Sequence, residues 1–138
     1  MVAKLVYGDH YIALREFRHY EEDAKGGNPY NTTFVLSVCS GAFRGEGYWE
    51  CDIREFRAFI EELQKLYTFR GQNACLRDIG YGGNISFSMD HVGHMEISGE
   101  IYGNAMKHYL KFCFHADQTV LKDFADALAT LENNTVPE

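Results

Sequence analysis

Six histidines, four cysteines and 20 acidic side chains are the groups on which catalysis or metal binding would have to rest. The nearest approach to a ligand motif is His91-Val92-Gly93-His94, flanked by Asp90 and Glu96. Residues three apart on extended backbone point to opposite faces, so these imidazoles read as polar turn residues rather than a metal pair. His108 falls on the apolar side of an alternating run with Met106, Leu110, Phe112 and Phe114, and reads as a core or rim histidine.

Nucleophiles fare no better. Ser37, Ser40, Ser86, Ser88 and Ser98 sit in alternating runs without a Gly-x-Ser-x-Gly elbow. A nucleophile needs a base within reach and a turn or helix start that exposes it. Cys39 and Cys113 lie opposite the large hydrophobes of their runs, and nothing adjacent marks either thiolate as activated. With Cys51 and Cys75 they form no C-x-x-C pair, which leaves four reduced thiols as the expectation. Glu96 and Glu100, four strand residues apart, would hold their Cα atoms about 13 Å from one another, too wide for the usual glycosidase pair. Gly80-Tyr81-Gly82-Gly83 is followed by strand-like Asn84-Ile85-Ser86-Phe87 and not by a helix, so it lacks the N-terminal dipole of a phosphate loop. The residues predict no catalytic site, no metal and no cofactor.

The elements that position these residues follow from apolar periodicity. Val2 to Tyr7 and Tyr11 to Phe17 read as strands around the turn Gly8-Asp9. Residues 21–29 are polar and rich in breakers, and read as an exposed connection. From Thr32 to Ser40, Phe34, Leu36 and Val38 alternate with Thr33, Val35, Ser37 and Cys39, and Phe43 to Cys51 returns as a partner. Asp52 caps a helix over about residues 53–67, with Glu55 placed for a capping box. Its apolar stripe is Ile53, Phe56, Phe59, Ile60, Leu63, Leu66 and Tyr67.

Further strands are expected over 74–81, 85–89, 95–102 and 106–114. The last three, joined by short turns, make a meander. A second helix, about residues 118–132, starts at the cap Asp117 and carries Val120, Leu121, Phe124, Leu128 and Leu131 inward. Asn133-Asn134 and Pro137 stop it. No internal repeat or linker divides the chain. The expected architecture is a single α+β domain, residues 1–138, of mainly antiparallel sheet with two amphipathic helices packed on it. With 138 residues, 46% of them hydrophobic, the chain is large enough for one ordinary core.

Charge narrows the partners. Thirteen basic side chains against 20 acidic ones leave −7, which disfavours nonspecific nucleic-acid or anionic-membrane binding and suits a basic partner. No apolar run approaches the ~20 residues that span a bilayer. Residues 1–9 have no signal-peptide core, so a cytoplasmic location is expected. Between Arg77 and Lys107 there is no Lys or Arg, while Asp78, Asp90, Glu96 and Glu100 fall inside that interval. Glu96, Ser98, Glu100 and Tyr102 share the polar side of one strand, a candidate docking surface.

Several segments, taken together, resemble the WapI-like immunity proteins of bacterial polymorphic-toxin systems. They are the strand with Gly45 and Gly47, Phe56-Arg57-Ala58-Phe59-Ile60-Glu61-Glu62-Leu63, Gly71-Gln72-Asn73-Ala74-Cys75-Leu76 and Gly93-His94-Met95-Glu96-Ile97-Ser98-Gly99. The closing run Phe112-Cys113-Phe114-His115-Ala116-Asp117-Gln118-Thr119-Val120-Leu121 is the most distinctive. The likeness spans roughly residues 32–132. It implies a small non-enzymatic cytoplasmic protein that binds a cognate contact-delivered toxin domain, often a nuclease, by direct contact. No family motif fixes the contacts. On charge, the expected ones are Asp78, Asp90, Glu96, Glu100 and Tyr102, with Glu46, Tyr48 and Glu50 as a second patch facing a basic toxin surface. The rival reading is a small-ligand carrier or sensor whose ten Phe and nine Tyr line an apolar pocket.

Overall fold

The computed structural model describes residues 1–134; Pro137, expected to stop the last helix, lies outside them. Alternation builds two antiparallel sheets of four strands each. The first runs β1 (Val2–Tyr7), β2 (His10–His19), β3 (Thr32–Ser40) and β4 (Phe43–Cys51) in chain order. The second runs β5 (Asn73–Arg77), β6 (Asn84–Met89), β7 (His94–Gly103) and β8 (His108–Asp117), also in chain order. A five-residue helix α1 (Glu21–Lys25) sits in the connection expected to be irregular. Helix α2 (Ile53–Tyr67) follows the first sheet, and α3 (Leu121–Asn133), entered through a 3-10 turn at Gln118–Val120, follows the second.

The chain therefore makes one construction twice, a four-strand meander followed by a helix. Each helix packs beside the first strand of the other half, α2 against β5 and α3 against β1, and the helices pack on each other. Arg57 and Glu132 form an ion pair between them. Period-two runs turn Leu5, Ile12, Leu36, Val38 and Trp49 inward from the first sheet, and Leu76, Phe87, Ile97 and Phe114 from the second. Aromatic rings knit the layers: Phe17 meets Phe56 at 4.8 Å, Phe59 meets Phe87 at 5.8 Å, and Phe87 meets Phe124 at 6.2 Å. Phe17 reaches inward because β2 carries a bulge between Arg15 and Arg18, with Glu16 at φ 56°.

The sheets meet where β4 crosses β7. Gly47 makes the crossing possible, because a Cβ there would lie 2.6 Å from Ile101 Cγ2 and 2.8 Å from the Tyr102 carbonyl.

The end of β5 and the start of β8 differ from expectation. β5 ends at Arg77 rather than at 81, because Asp78 folds the following residues into a loop. β8 begins at His108 rather than at Met106, since Asn104, Ala105 and Met106 all take left-handed backbone. His108 keeps the parity of Leu110, Phe112 and Phe114 but, at the strand's start, is an exposed rim residue rather than a core one.

Candidate partner-binding surface

The outer face of the second sheet carries the polar half of each alternating strand, and register sets its rows. Asn73, Ser88, Glu96 and His115 lie side by side. The next row is Cys75, Ser86, Ser98 and Cys113, and the one after it Arg77, Asn84, Glu100 and Lys111. Tyr102 and Tyr109 close the face, their rings 5.1 Å apart and tilted by 40°. A shallow depression of about 430 Å³ opens over Ser98 between Glu96, Glu100 and Lys111.

Expected contacts Glu96, Glu100 and Tyr102 are thus on one face, with a neighbour the strand reading missed. Tyr109 is 53% exposed. Desolvation, and then a hydrogen bond with Glu100, pushes its phenol above the ordinary range. The acidic strip is also less bare than its linear sequence implies. His115 stands 3.7 Å from Glu96, and Lys111 lies opposite Glu100. Burial and the nearby Glu96 charge push the Cys113 thiol upward, away from the thiolate a nucleophile needs.

The two aspartates of this set sit in turns and differ from each other. Asp90 is exposed at the β6–β7 turn and accepts from the Val92 and His94 N–H groups at 3.0 and 2.9 Å. The His94 bond, and then the Val92 bond, hold its carboxyl below the usual range. His94 Nδ1 lies 3.4 Å from Asp90 Oδ2. Among the described residues no three His, Cys, Asp or Glu side chains gather as a metal site.

Asp78 does not stand on the surface. It is 3% exposed. Its carboxylate accepts from Glu50 N at 3.0 Å, Gly80 N at 2.9 Å and Tyr81 N at 3.1 Å. A carboxylate so enclosed fastens the loop after β5 to the end of β4 and is not available to a partner.

The second patch lies on the outer face of the first sheet. Arg15 clasps Glu46 with two guanidinium bonds of 2.9 and 3.0 Å, and the Ser37 hydroxyl donates to the same carboxylate at 3.0 Å. The Arg15 bonds hold the Glu46 carboxyl low. Tyr48 is 52% exposed, in a row with Val2, Arg15 and Val35. Glu50 is half-buried, with its N–H committed to Asp78 and its carbonyl to Ile79 N. The two patches lie on the outer faces of different sheets, whose strands β4 and β7 meet on their inner sides, where the Glu46 carbonyl lies 3.0 Å from the place a Cβ on Gly103 would occupy. Nothing within β2 or β8 announces Arg15 as the partner of Glu46 or Lys111 as the neighbour of Glu100; only cross-strand register does.

An aromatic ligand pocket is not what the side chains build. The Phe rings largely pack on one another in the core. A cleft of about 550 Å³ between α2 and β5 is lined by polar and aliphatic groups, including Asp52, Glu55, Glu62 and Arg77, with no Phe, Tyr or Trp. Cys51, at its base, is a thiol that burial pushes up to about 12. All four cysteines are free.

The sequence profile of the WapI-like immunity proteins matches residues 9–135. The chain belongs to this family. Among solved structures, this WapI-like chain is similar in fold to Trypanosoma bruciei MRP1/MRP2, with a TM-score of 0.53, 10% identity, and coverage of 96% of this chain and 83% of that one. WHY1 from Arabidopsis thaliana aligns at a TM-score of 0.38 and 8% identity, over 96% of this chain and 87% of that one. At such identity the MRP1/MRP2 likeness concerns the arrangement of sheets and helices alone. No curated protein matches the chain. No described helix is long and apolar enough to cross a membrane.

Proposed function

We propose that this immunity protein neutralises a cognate contact-delivered toxin domain by covering its working surface, and that it acts through binding rather than catalysis. One observation supports this most directly. Glu96 and Glu100 project from the outer face of an uncovered sheet beside the half-buried Tyr102 and the exposed Tyr109. Carboxylates steer a basic partner and set its orientation, while tyrosines supply apolar contact at low entropic cost. Asp90 extends the acidic edge, and Glu46, Tyr48 and Glu50 offer a second patch on the outer face of the first sheet. A nuclease toxin fits this chemistry, because the groove that holds a nucleic-acid backbone must itself be basic. An acidic protein seated there excludes the substrate. Binding within the cytoplasm is part of the same reading.

The experiment is a pull-down of the protein against the C-terminal domains of large toxins encoded in the same genome. The expected result is a stoichiometric complex with one of them, in which toxicity is abolished. Capture of none would remove the proposal.

A further inference from the structure

The free edge of β5 has a groove beside it. Backbone groups of Gln72 and Asp78 bond toward β6, through Gln72 O to Met89 N and Asp78 N to Gly83 O. Antiparallel alternation then turns the N–H and C=O groups of Asn73, Cys75 and Arg77 out of the sheet. At one end this edge is already met, because Ile79 N donates to the Glu50 carbonyl of β4 at 3.0 Å. Along Cys75 to Arg77 the neighbour is α2, which presents Glu55, Ala58 and Glu62 from one stripe of the helix and leaves a gap of about 550 Å³. The contact across the gap is a long one, Cys75 N to Glu62 Oε1 at 3.4 Å.

Natural sheets cover or charge their edges, and an edge left with outward backbone groups is a template for another strand. The charge of the groove selects what enters. Arg54 is spent on Asp52 at 2.9 Å, while Glu55 and Glu62 have no ion pair among the described residues. Arg77 stands on the β5 side. The wall formed by α2 is therefore acidic, with a small Ala58 between its carboxylates.

We propose that β5 accepts an extended, basic segment of the partner by strand addition, with Glu62 leaving the Cys75 N–H to pair with an incoming Lys or Arg. The partner's being a toxin domain rests on the function proposed above; the groove's preference for an extended basic chain does not. The added strand lies about 4.8 Å from β5. Its carbonyls take the outward N–H groups, and its basic side chains lie along Glu55 and Glu62. Backbone bonds supply affinity and the acidic wall supplies selection.

The probe is a capped seven-residue peptide of alternating lysine and valine, with its glutamate–valine counterpart as control. Titration followed by amide NMR is expected to move the Cys75 and Arg77 resonances saturably. The combined Glu55→Lys and Glu62→Lys variant is expected to weaken binding roughly tenfold, and the glutamate peptide to leave the spectrum unchanged. Both glutamates are on the surface of α2, and unchanged circular dichroism checks that the variant is folded. Shifts located elsewhere, no saturable shift, or equal binding by the double variant would overturn strand addition. In a captured toxin complex, Cys75 and Arg77 amides that stay unprotected in hydrogen exchange would also overturn it while leaving the immunity reading intact. Capture of no toxin sinks that reading alone, because the peptide result does not depend on it.

Discussion

At the scale of single residues, the fold turns on polar side chains that sequence reasoning treats as solvent-facing. Asp78 takes three backbone N–H groups from two chain segments, and Asn31, 2% exposed, does similar work on the other side of the junction. Asn31 Oδ1 accepts from Ile53 N at 2.8 Å while its amide donates to the Asn28 carbonyl at 2.8 Å. Removing an acceptor leaves buried donors unpaired, at about 1–3 kcal/mol for such a site. Asp78→Ala should therefore lower stability by about 3 kcal/mol, with Asp78→Asn costing less because one carbonyl oxygen survives. Urea unfolding measures it, and an unchanged midpoint for the alanine variant would show that the carboxylate does not anchor the loop. Charge alone puts Asp78 on the surface, because it falls in a stretch free of basic residues. Its real signal is local: an aspartate followed by Ile79-Gly80-Tyr81-Gly82-Gly83, a turn-forming run with N–H groups to cap.

At the scale of elements, alternation and capping are what a sequence states most clearly. The stripe of α2 and the inward faces of β3, β6 and β7 follow from spacing alone, and Asp52 caps α2 as its position implies. The capped N–H is that of Arg54, at 2.9 Å, so Asp52 closes the helix without the reciprocal box expected of Glu55. Loss of this cap in Asp52→Ala should cost about 1 kcal/mol. Its pH dependence has a definite sign. The Arg54 side chain, and then the Arg54 N–H, hold the Asp52 carboxyl below its ordinary value. A group depressed in the folded state stabilises fully above the unfolded pKa of about 3.9 and loses that stabilisation as pH falls through the folded value. Thermal melts of the wild type and of Asp52→Asn should accordingly converge as the solution is acidified below about pH 4. A gap that stays constant would contradict the assignment. Positions set by tertiary crossing are illegible by comparison. Gly47 looks like strand filler, yet the approach of Ile101 makes it obligatory. Gly47→Ala should destabilise by about 1–3 kcal/mol, the usual cost of overpacking, measurable in the same unfolding experiment. Register is illegible too, which is why Lys111 opposite Glu100 and Arg15 beneath Glu46 escape a reading made one strand at a time.

At the scale of the whole molecule, the repeated meander-and-helix plan leaves two broad sheet faces uncovered, while each helix shields the first strand of the opposite half. Such a scaffold can vary its faces without touching its core, the arrangement expected of a protein whose specificity is a difference between affinities for related partners. The overall charge of −7 acts at long range on any basic partner; in the proposed complex, the register of the second sheet sets where that attraction becomes contact. Reversing Glu96 and Glu100 to lysine together separates these effects. Both side chains leave the outer face of a sheet whose inner face is packed, so the melting temperature should stay within a few degrees of wild type. Against the captured toxin domain, the dissociation constant should rise roughly tenfold or more, mainly through a slower on-rate, and the loss should shrink as salt is raised toward 0.5 M. A matched control reverses Asp123 and Asp126 on the exposed side of α3, altering net charge equally at a distance from the sheet. Equal loss in both variants would mean that net charge alone draws the partner. Loss confined to Glu96 and Glu100 would place the partner on the β7 face, and wild-type affinity in that variant would exclude it.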